Sequence, residues 1–242
     1  MEETLSISII QSHLFWENPV ANRQNFSKKI AQISNPTNLI ILPEMFNTGF
    51  SMNASVLAEE NDGETLQWMI SEAKKHKTAI TGSIIVKVKE KYFNRLFFVF
   101  PNGDYKTYDK RHTFTLAGEH KIYTAGEKHL LIEYKGWKIF PLICYDLRFP
   151  VWARNTEEYD VIMYVANWPL KRIAAWDTLL KARAIENMSY CIGVNRVGLD
   201  GNNHEYVGHS AVYDALGEHI SNKDFEKEFI ETIVLRKEHI KA

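Results

Sequence analysis

The stretch YFNRLFFVFPNGDYKTYDK, residues 92–110, decides the fold class of this chain. Two β-rich runs flank Pro101-Asn102-Gly103-Asp104, where Asn-Gly would supply the positive φ angles of a type I′ hairpin turn. Lys135-Gly136 and residues 215–217 are similar hairpin tips. Because these local antiparallel pairs alternate with helix-linked strands, the pattern predicts mixed β-sheets covered by helices rather than a purely parallel sheet.

Outward from this hairpin, short apolar runs recur towards both ends of the chain, with helical patterns between some of them. The runs predict strands at residues 5–10, 39–42, 79–88, 92–100, 105–108, 130–134, 137–143, 161–166, 190–197, 210–213 and 230–235. The helical patterns cover residues 19–33, 65–76 and 173–188. No repeat and no linker-like change of composition divides them, so we expect a single domain over residues 1–242.

The charge of the chain is balanced, with 29 Lys and Arg against 30 Asp and Glu. This balance argues against a basic nucleic-acid groove. No apolar run approaches the ~18 residues of a membrane span, and no signal-peptide pattern precedes the first predicted strand. The two cysteines do not suggest a disulfide framework and favour a reducing compartment. We therefore expect a cytoplasmic protein with no nucleic-acid or membrane partner.

Several common kinds of site lack their sequence motif. No Gly-x-Gly-x-x-Gly or Walker-type Gly-x-x-x-x-Gly-Lys follows a strand, so dinucleotide and P-loop sites have no support. There is no His-Glu-x-x-His, and the two cysteines are too far apart in the sequence for a zinc pair. We expect neither a metal nor an organic cofactor.

Polar residues end several of the predicted strands. Glu44 follows a buried run, where partial loss of hydration would make its carboxylate a better base, although a helix N-cap or a loop charge explains the position as well. Lys110 follows the return strand of the hairpin, and a lone lysine is normally solvated. At Cys144 an apolar strand breaks into a polar turn, so the thiol is either buried packing or exposed with its pKa lowered by a nearby cation. Cys191 has no such break and is interpreted as packing.

The combination of these residues is more specific than any of its members. Hydrolysis of an amide through a thiol needs a nucleophile, a proton acceptor and a positive group facing the developing oxyanion. Cys144, Glu44 and Lys110 supply these three functions without a histidine.

Three motifs resemble those of the nitrilase superfamily, the carbon–nitrogen hydrolases. PEMFNTGF at residues 43–50 is similar to the glutamate motif of that family, YDKRH at 108–112 to its lysine motif and ICYDLRFP at 143–150 to its nucleophile motif. Similar blocks occur at residues 117–120, 166–169 and 183–187. The similarity covers nearly the whole chain, and its finer features are most similar to the omega-amidases.

The resemblance implies the roles of the catalytic residues. It makes Cys144 the nucleophile, Glu44 the general base and Lys110 the oxyanion stabiliser, together with the backbone N–H of Tyr145. Glu119 would orient Lys110 or share the proton transfer. The chemistry would need only the amide substrate and water.

The substrate that the resemblance implies is a short ω-amide of a dicarboxylic acid, such as 2-oxoglutaramate or succinamate. The far carboxylate of such a substrate needs a cation or several hydrogen-bond donors. The pocket also needs side chains that form its wall. Candidates for these functions are Arg148, Arg172, Asn167 and His112 as donors, with Phe46 and Trp168 as walls. Against them, Arg148 could pair with Asp146 or Glu186, Trp168 could be core, and Asp146 is expected to orient the loop.

For the fold, the resemblance implies an α/β protein, an α-β-β-α sandwich with two mixed β-sheets, that forms a homodimer. Other functions remain open at this point. The chain could be another amidase, a carbamoylase or a nitrilase of the same superfamily, or a non-catalytic binding protein that keeps the fold.

Overall fold

The computed structural model describes residues 3–223 and 225–241, except for the side chain of Lys241, and the other residues of the predicted 1–242 domain lie outside the described residues. The strands are β1 (Thr4–Gln11), β2 (Leu39–Ile41), β3 (Glu59–Glu60), β4 (Ala79–Val88), β5 (Lys91–Val99), β6 (Tyr105–Asp109), β7 (Ile132–Tyr134), β8 (Trp137–Ile143), β9 (Val161–Val165), β10 (Tyr190–Val194), β11 (Val197–Leu199), β12 (Glu205–Val207), β13 (Ala211–Tyr213) and β14 (Phe229–Arg236). The α-helices are α1 (Pro19–Ala31), α2 (Ala54–Leu57), α3 (Glu64–His76), α4 (Glu119–Ile122), α5 (Pro150–Ala153), α6 (Ile173–Asn187) and α7 (Glu238–Lys241).

The first sheet has the strand order β14-β1-β2-β4-β5-β6, with β3 paired to β4. Its centre is parallel, since β1 pairs with β2 and β2 with β4 in the same direction. The strands β14, β5 and β6 are antiparallel to their neighbours. The antiparallel strands, among them the predicted hairpin β5–β6, thus lie on either side of a parallel centre.

The second sheet repeats this plan in the order β13-β10-β9-β8-β7. Here β8, β9 and β10 are parallel, and β7 and β13 are antiparallel at the two edges. A separate ribbon joins β11 and β12. Both sheets are therefore mixed.

The two sheets pack face to face, and each is covered by helices on its outer face. One apolar core joins Leu5 and Ile41 of the first sheet to Ile139 and Val165 of the second. A second core lies between the first sheet and the helices α1 and α3. Because the central strands are buried on both faces, their sequences are nearly continuous apolar runs. The predicted α-β-β-α sandwich with two mixed β-sheets is confirmed.

Helix α6 covers the second sheet, and Gly193 of β10 sets how closely it approaches. A Cβ added at Gly193 would lie 2.4 Å from Leu180 Cδ1 and 2.6 Å from Trp176 Cζ2 of α6. Glycine is therefore the residue that lets this helix pack directly on the strand.

The turn between β5 and β6 differs from the type I′ turn that the sequence predicts. Gly103 has a φ of 94°, but Asn102 is not among the residues with positive φ, so that prediction is wrong. The N–H of Gly103 donates to the carbonyl of Phe100 at 2.9 Å, which closes a turn with Pro101 at its second position. Pro101 favours this type I geometry, and the glycine then takes the left-handed position. The tip between β7 and β8 is the type I′ turn, with φ of 53° at Lys135 and 81° at Gly136.

The predicted strand at residues 190–197 is interrupted at Asn195. The side chain of Asn195 accepts from the N–H of Trp168 at 2.8 Å and donates to the carbonyls of Trp168 and Gly208 at 2.9 and 2.7 Å. These side-chain bonds replace the strand ladder, because an Asn side chain can hydrogen-bond to the backbone as a neighbouring strand would. The chain then turns into the β11–β12 ribbon, which brings residues 200–206 towards the ends of β8 and β9.

Candidate active site

The ends of strands from both sheets meet at one edge of the sandwich. Glu44 comes shortly after β2, Lys110 directly after β6, Cys144 directly after β8 and Asn167 shortly after β9. In α/β sheets, ligands commonly bind outside the carboxyl ends of parallel strands. The structure therefore brings together the three residues that the sequence singled out.

A buried lysine lies between two buried carboxylates. Lys110 Nζ is 2.8 Å from Glu44 Oε1 and 3.0 Å from both carboxylate oxygens of Glu119. The lysine is only 1% exposed, and neither glutamate is exposed. Burial alone would lower the pKa of Lys110, but Glu119 and Glu44 outweigh it and raise the pKa. The ammonium ion is therefore held charged.

Glu119 is the second carboxylate that holds Lys110. Its second oxygen also accepts a hydrogen bond from the backbone N–H of Phe114. Burial raises the pKa of Glu119, and although Lys110 opposes this effect, the charge of Glu44 adds to it. The raised pKa of Glu119 therefore comes first from burial and then from the second carboxylate that shares Lys110 with it.

The carboxylate of Glu44 is fixed in orientation through both of its oxygens. Besides Lys110, Asn94 Nδ2 donates to Oε1 at 2.7 Å. The backbone N–H of Asn167 donates to Oε2 at 2.9 Å. A carboxylate restrained in this way can take or return a proton at a defined position.

Cys144 lies at the sharp turn where β8 ends and a 3₁₀ helix, Cys144–Arg148, begins. Its φ is 46°, in the left-handed region that side chains with a Cβ seldom adopt. Backbone strain of this kind is found at catalytic nucleophiles because it projects the side chain away from the sheet. The thiol lines a cavity, although the residue is only 8% exposed.

The pKa of the Cys144 thiol is raised, whereas one interpretation of the sequence predicts a pKa lowered by a neighbouring cation. Burial and then the charge of Glu44 raise the pKa of Cys144, and Lys110 only partly opposes them. That expectation is wrong because burial and the nearby carboxylate of Glu44 outweigh the charge of Lys110. The resting thiol keeps its proton, so a base has to remove it during attack.

Asp146 connects the turn at Cys144 with the loop that follows Lys110. It is fully buried and accepts from the hydroxyl of Tyr108 at 2.8 Å and from the N–H groups of His112 and Ile143 at 2.9 and 3.1 Å. Its Oδ1 also lies 2.8 Å from His112 Nδ1. The structure supports the expectation that Asp146 orients the loop.

The cavity in front of Cys144 has a volume of about 570 Å³. Most of the predicted site residues line it: Lys110, Cys144, Tyr145, Arg148, Asn167, Trp168 and Arg172. Glu44 and Glu119 are not part of the cavity wall, but both contact Lys110, which is.

Two predicted pocket residues lie elsewhere. Phe46 is fully buried in the core beneath the first sheet, with its ring 5.5 Å from that of Phe26 and 5.6 Å from that of Trp68. The His112 ring stacks on Phe149 at 3.6 Å, and its Nδ1 faces Asp146. Neither side chain is part of the cavity wall, because each is engaged by its own neighbours.

Two arginines on the cavity wall lie over aromatic rings. The guanidinium of Arg148 is 5.2 Å from the ring centre of Trp168, and that of Arg172 is 4.8 Å from the ring centre of Phe114. Among the described residues neither arginine forms a salt bridge; Glu186, the alternative partner of Arg148, pairs with Arg183 at 2.8 Å. Both charges remain available to an anionic ligand.

The sequence interpretation did not identify several residues of the site. Asn94, which donates to Glu44 but is not part of the cavity wall, is one of them. A polar residue within the apolar run of β5 could have indicated it, because a buried amide needs a polar partner. Others on the cavity wall are Trp16, Glu17, Phe50, Phe114, Asp200, His204 and Tyr206. The loop at residues 200–204 has no local motif, and only the β11–β12 ribbon brings it to the cavity.

Two features are absent from residues 3–223 and 225–241. No group of three or more His, Cys, Asp and Glu side chains there is arranged to hold a metal ion. No helix there combines the length and the apolar character needed to cross a membrane.

Known amidases are similar to this chain over most of its length. Omega-amidase YafV from Yersinia enterocolitica is 45% identical over 215 residues, which cover 89% of this chain and 83% of the relative. A 2-oxoglutaramate amidase from Bacillus subtilis (strain 168) is 35% identical over 217 residues, covering 88% and 83% of the two chains.

A solved structure is also similar to this chain over its whole length. The CN-hydrolase superfamily protein XC1258 from Xanthomonas campestris, with an arsenic adduct in its active site, is 41% identical and superposes with a TM-score of 0.96. The match covers 100% of this chain and 93% of the other. The family model for carbon-nitrogen hydrolases matches residues 6–237, and the resemblance to the nitrilase superfamily is confirmed. This chain belongs to the carbon-nitrogen hydrolase family.

Proposed function

We propose that this protein is an omega-amidase that hydrolyses short monoamides of dicarboxylic acids, 2-oxoglutaramate and succinamate among them, to the diacid and ammonia. Family membership and the omega-amidase relatives support an amide hydrolase. The observation that carries the proposal is a thiol beside a buried Glu44–Lys110 ion pair, in a cavity whose wall also presents Arg148 and Arg172.

In the proposed mechanism the first half-reaction forms an acyl-thioester. Glu44 takes the proton of the Cys144 thiol as Sγ attacks the amide carbon. Lys110 Nζ and the backbone N–H of Tyr145 hold the oxyanion that forms. When the tetrahedral intermediate collapses, the C–N bond breaks and protonated Glu44 returns its proton to the leaving nitrogen, which departs as ammonia.

The second half-reaction frees the acid. Glu44 takes a proton from water while the resulting hydroxide attacks the thioester carbon. The C–S bond then breaks, and the proton on Glu44 returns to the thiolate. In both halves Glu119 keeps Lys110 charged and in place, a role that its two 3.0 Å contacts to Nζ support.

Specificity for a diacid monoamide is assigned to the two cavity arginines. A far carboxylate would replace water around Arg148 and Arg172, whose positions the rings of Trp168 and Phe114 restrict. Charge-assisted hydrogen bonds to guanidinium groups are among the strong polar contacts of proteins. Trp168 then has the wall function that the sequence suggested.

An assay of ammonia release tests the function. Wild-type protein is compared on 2-oxoglutaramate, succinamate, an uncharged amide of similar length, a nitrile and a carbamoyl compound. We expect the two dicarboxylic monoamides to have the highest kcat/KM. Preference for the nitrile or the carbamoyl compound would instead support a nitrilase or a carbamoylase of the same superfamily.

Arginine variants test the assignment of the far carboxylate. Arg148→Ala and Arg172→Ala should each raise KM for succinamate roughly tenfold and change the uncharged amide little, because only the anionic substrate loses a partner. Lys171→Ala is the matched control, since this exposed cation is next to Arg172 but outside the cavity wall. Equal effects on both substrates would contradict the assignment.

A non-catalytic binding protein of the same fold is the remaining alternative. It predicts no ammonia release from any of these substrates and no reaction of Cys144 with an electrophilic thiol probe. The intact arrangement of Glu44, Lys110 and Cys144 supports an enzyme instead.

The homodimer and the cytoplasmic location are also part of this proposal. Val151 of α5, which follows the nucleophile turn, is 91% exposed, and Met188 at the end of α6 is 67% exposed. Contiguous exposed apolar patches are typical of association surfaces, and we assign Val151 and Met188 to such a patch in the dimer. Light scattering should give twice the mass of one chain, and Val151→Asp should reduce it; a monomeric wild type would contradict the dimer.

A further inference from the structure

Asn167 lies at the centre of the reacting groups. Its backbone N–H donates to Glu44 Oε2 at 2.9 Å, and its carbonyl oxygen is 3.9 Å from Cys144 Sγ. The residue lines the cavity and is 4% exposed. Any group that reacts with the thiol therefore comes next to Asn167.

The orientation of the Asn167 side chain follows from its single amide contact. Nδ2 donates to the backbone carbonyl of Glu44. A carbonyl oxygen can only accept, so the nitrogen of the amide must face it and Oδ1 must lie on the other side. One of the two Nδ2 N–H groups of Asn167 is thereby used within the protein, and the other is left for the far carboxylate that Asn167 was predicted to bind.

The oxygen on that other side has no partner in the protein. Asn167 Oδ1 is buried and accepts no hydrogen bond from the described residues. A buried acceptor without a donor is costly, and most buried acceptors in folded proteins are satisfied. Because Asn167 is part of the cavity wall, a bound ligand can supply the missing donor.

We infer that Asn167 Oδ1 accepts a hydrogen bond from the N–H of the scissile primary amide and thereby selects amides over esters and acids. This inference rests on the proposed function, since it assumes that an amide carbon is presented to Cys144. The donor belongs to the substrate class itself, because a primary amide has two N–H groups at the bond that is cleaved.

The chemistry of the competing groups explains the selection. An ester or a carboxylate presents only acceptor oxygens at this position, so Asn167 Oδ1 would face a second acceptor and stay unpaired. Sites built around a hydrogen bond discriminate strongly against analogues that lack the donor. The acid product has lost the N–H as well, so the contact that holds the substrate is absent when the product leaves.

A comparison of two substrates tests the inference. Succinamate and monomethyl succinate share the far carboxylate and differ in the N–H donor. The kcat/KM values are measured for wild type, Asn167→Leu and Asn94→Leu. Asn94→Leu is the matched control, because Asn94 also donates to Glu44 but is not part of the cavity wall.

We expect Asn167→Leu to lose roughly tenfold more kcat/KM on the amide than on the ester. Asn94→Leu should lower kcat/KM for both substrates by the same factor, because Asn94 contacts Glu44 and Glu119 and is not part of the cavity wall. Equal losses in Asn167→Leu would overturn the inference and leave the proposed function standing. Failure of wild type on succinamate would instead contradict the proposed function.

A binding measurement tests the same inference without turnover, in case Asn167→Leu is unstable or the ester is hydrolysed too slowly. In the Cys144→Ala variant, intact succinamate should bind several-fold more tightly than monomethyl succinate by calorimetry. Combined with Cys144→Ala, Asn167→Ala should abolish the preference, because it removes the accepting oxygen. Equal affinity for the two compounds in Cys144→Ala overturns the inference.

Discussion

Cys144 directly follows one strand of the second sheet, and Cys191 lies within another strand of the same sheet. The difference between their surroundings explains why Cys144 is the proposed nucleophile. β8, which precedes Cys144, and β10, which contains Cys191, both pair in parallel with β9. Cys191 is the second residue of β10, fully buried within the apolar core. Cys144 is one residue beyond β8, with a positive φ and a place on the cavity wall.

Both thiols have a raised pKa, so reactivity cannot be inferred from the pKa alone. At Cys191 burial is the largest cause, the charge of Arg183 opposes it and that of Glu186 adds to it. At Cys144 burial is followed by Glu44 and opposed by Lys110. The position beyond the strand end gives Cys144 a base that removes the proton and a cation for the oxyanion, which Cys191 lacks.

The largest expected effect is the contrast between the two alanine variants. Cys144→Ala should lower kcat for succinamate by at least about 10⁴-fold, because the covalent route is lost. Cys191→Ala should keep kcat within about twofold and cost on the order of 1 kcal/mol of unfolding free energy, because it leaves only a small cavity. Ammonia release and urea unfolding measure the two effects. Full activity in Cys144→Ala with loss in Cys191→Ala would reverse the assignment.

The next prediction separates the two roles of Glu44. Glu44→Gln should lower amide hydrolysis by roughly 10²- to 10⁴-fold, since the general base is removed. The same change removes a charge that raises the pKa of Cys144, so the alkylation rate of this thiol should begin to rise at a lower pH than in wild type. The rate of iodoacetamide labelling of Cys144 is measured from pH 7 to pH 10 in wild type and in Glu44→Gln. The same pH profile in both proteins would contradict the predicted effect of Glu44 on the thiol.

A smaller effect is expected from the hydrogen bonds that support the turn at Cys144. Asp146→Asn keeps the size of the side chain but replaces one of its two acceptor oxygens by an NH₂ group, so either Tyr108 and Ile143 or His112 loses its acceptor. We expect kcat to fall roughly 10- to 100-fold with little change in KM, because the thiol and Lys110 lose their fixed spacing.

Asp160→Asn is the control for this change, since Asp160 accepts from Lys138 N and Lys237 Nζ, which are outside the cavity wall. Steady-state kinetics and the rate of thiol alkylation should both fall in Asp146→Asn and neither in Asp160→Asn. A rise in KM alone would mean that Asp146 acts on substrate binding instead.

The smallest predicted effect concerns stability at alkaline pH. Burial raises the pKa of Cys191 in the folded protein, so above about pH 8.5 the unfolded chain releases this proton first. Stability is then fully present below that pH and falls as the pH rises, by up to ~1.4 kcal/mol per unit for one thiol. Cys191→Ala should reduce this fall in urea unfolding at pH 8, 9 and 10, and an unchanged slope would show that the unfolded thiol is not the cause.

Much of the site was predictable because its residues stand in motifs at strand ends. Glu44 and Cys144 each follow an apolar run and Lys110 follows the return strand of a hairpin, and their combination, with the family resemblance, suggests that they act together. Phe46 shows where the same reasoning fails. It lies in the glutamate motif, yet the direction of its side chain, into the core under the first sheet, is set by packing against Phe26 and Trp68.

The sequence by itself determined the class of the fold and the identity of the reacting groups. Periodicity of two residues and turn residues such as Lys135-Gly136 act over a few positions, so they can be recognised without the rest of the chain. Only the tertiary structure decided the charge state of the Cys144 thiol and the free oxygen of Asn167. Both depend on which groups from distant parts of the chain share one buried space, because the energy of a charge or a hydrogen bond is set by its partners and by the exclusion of water.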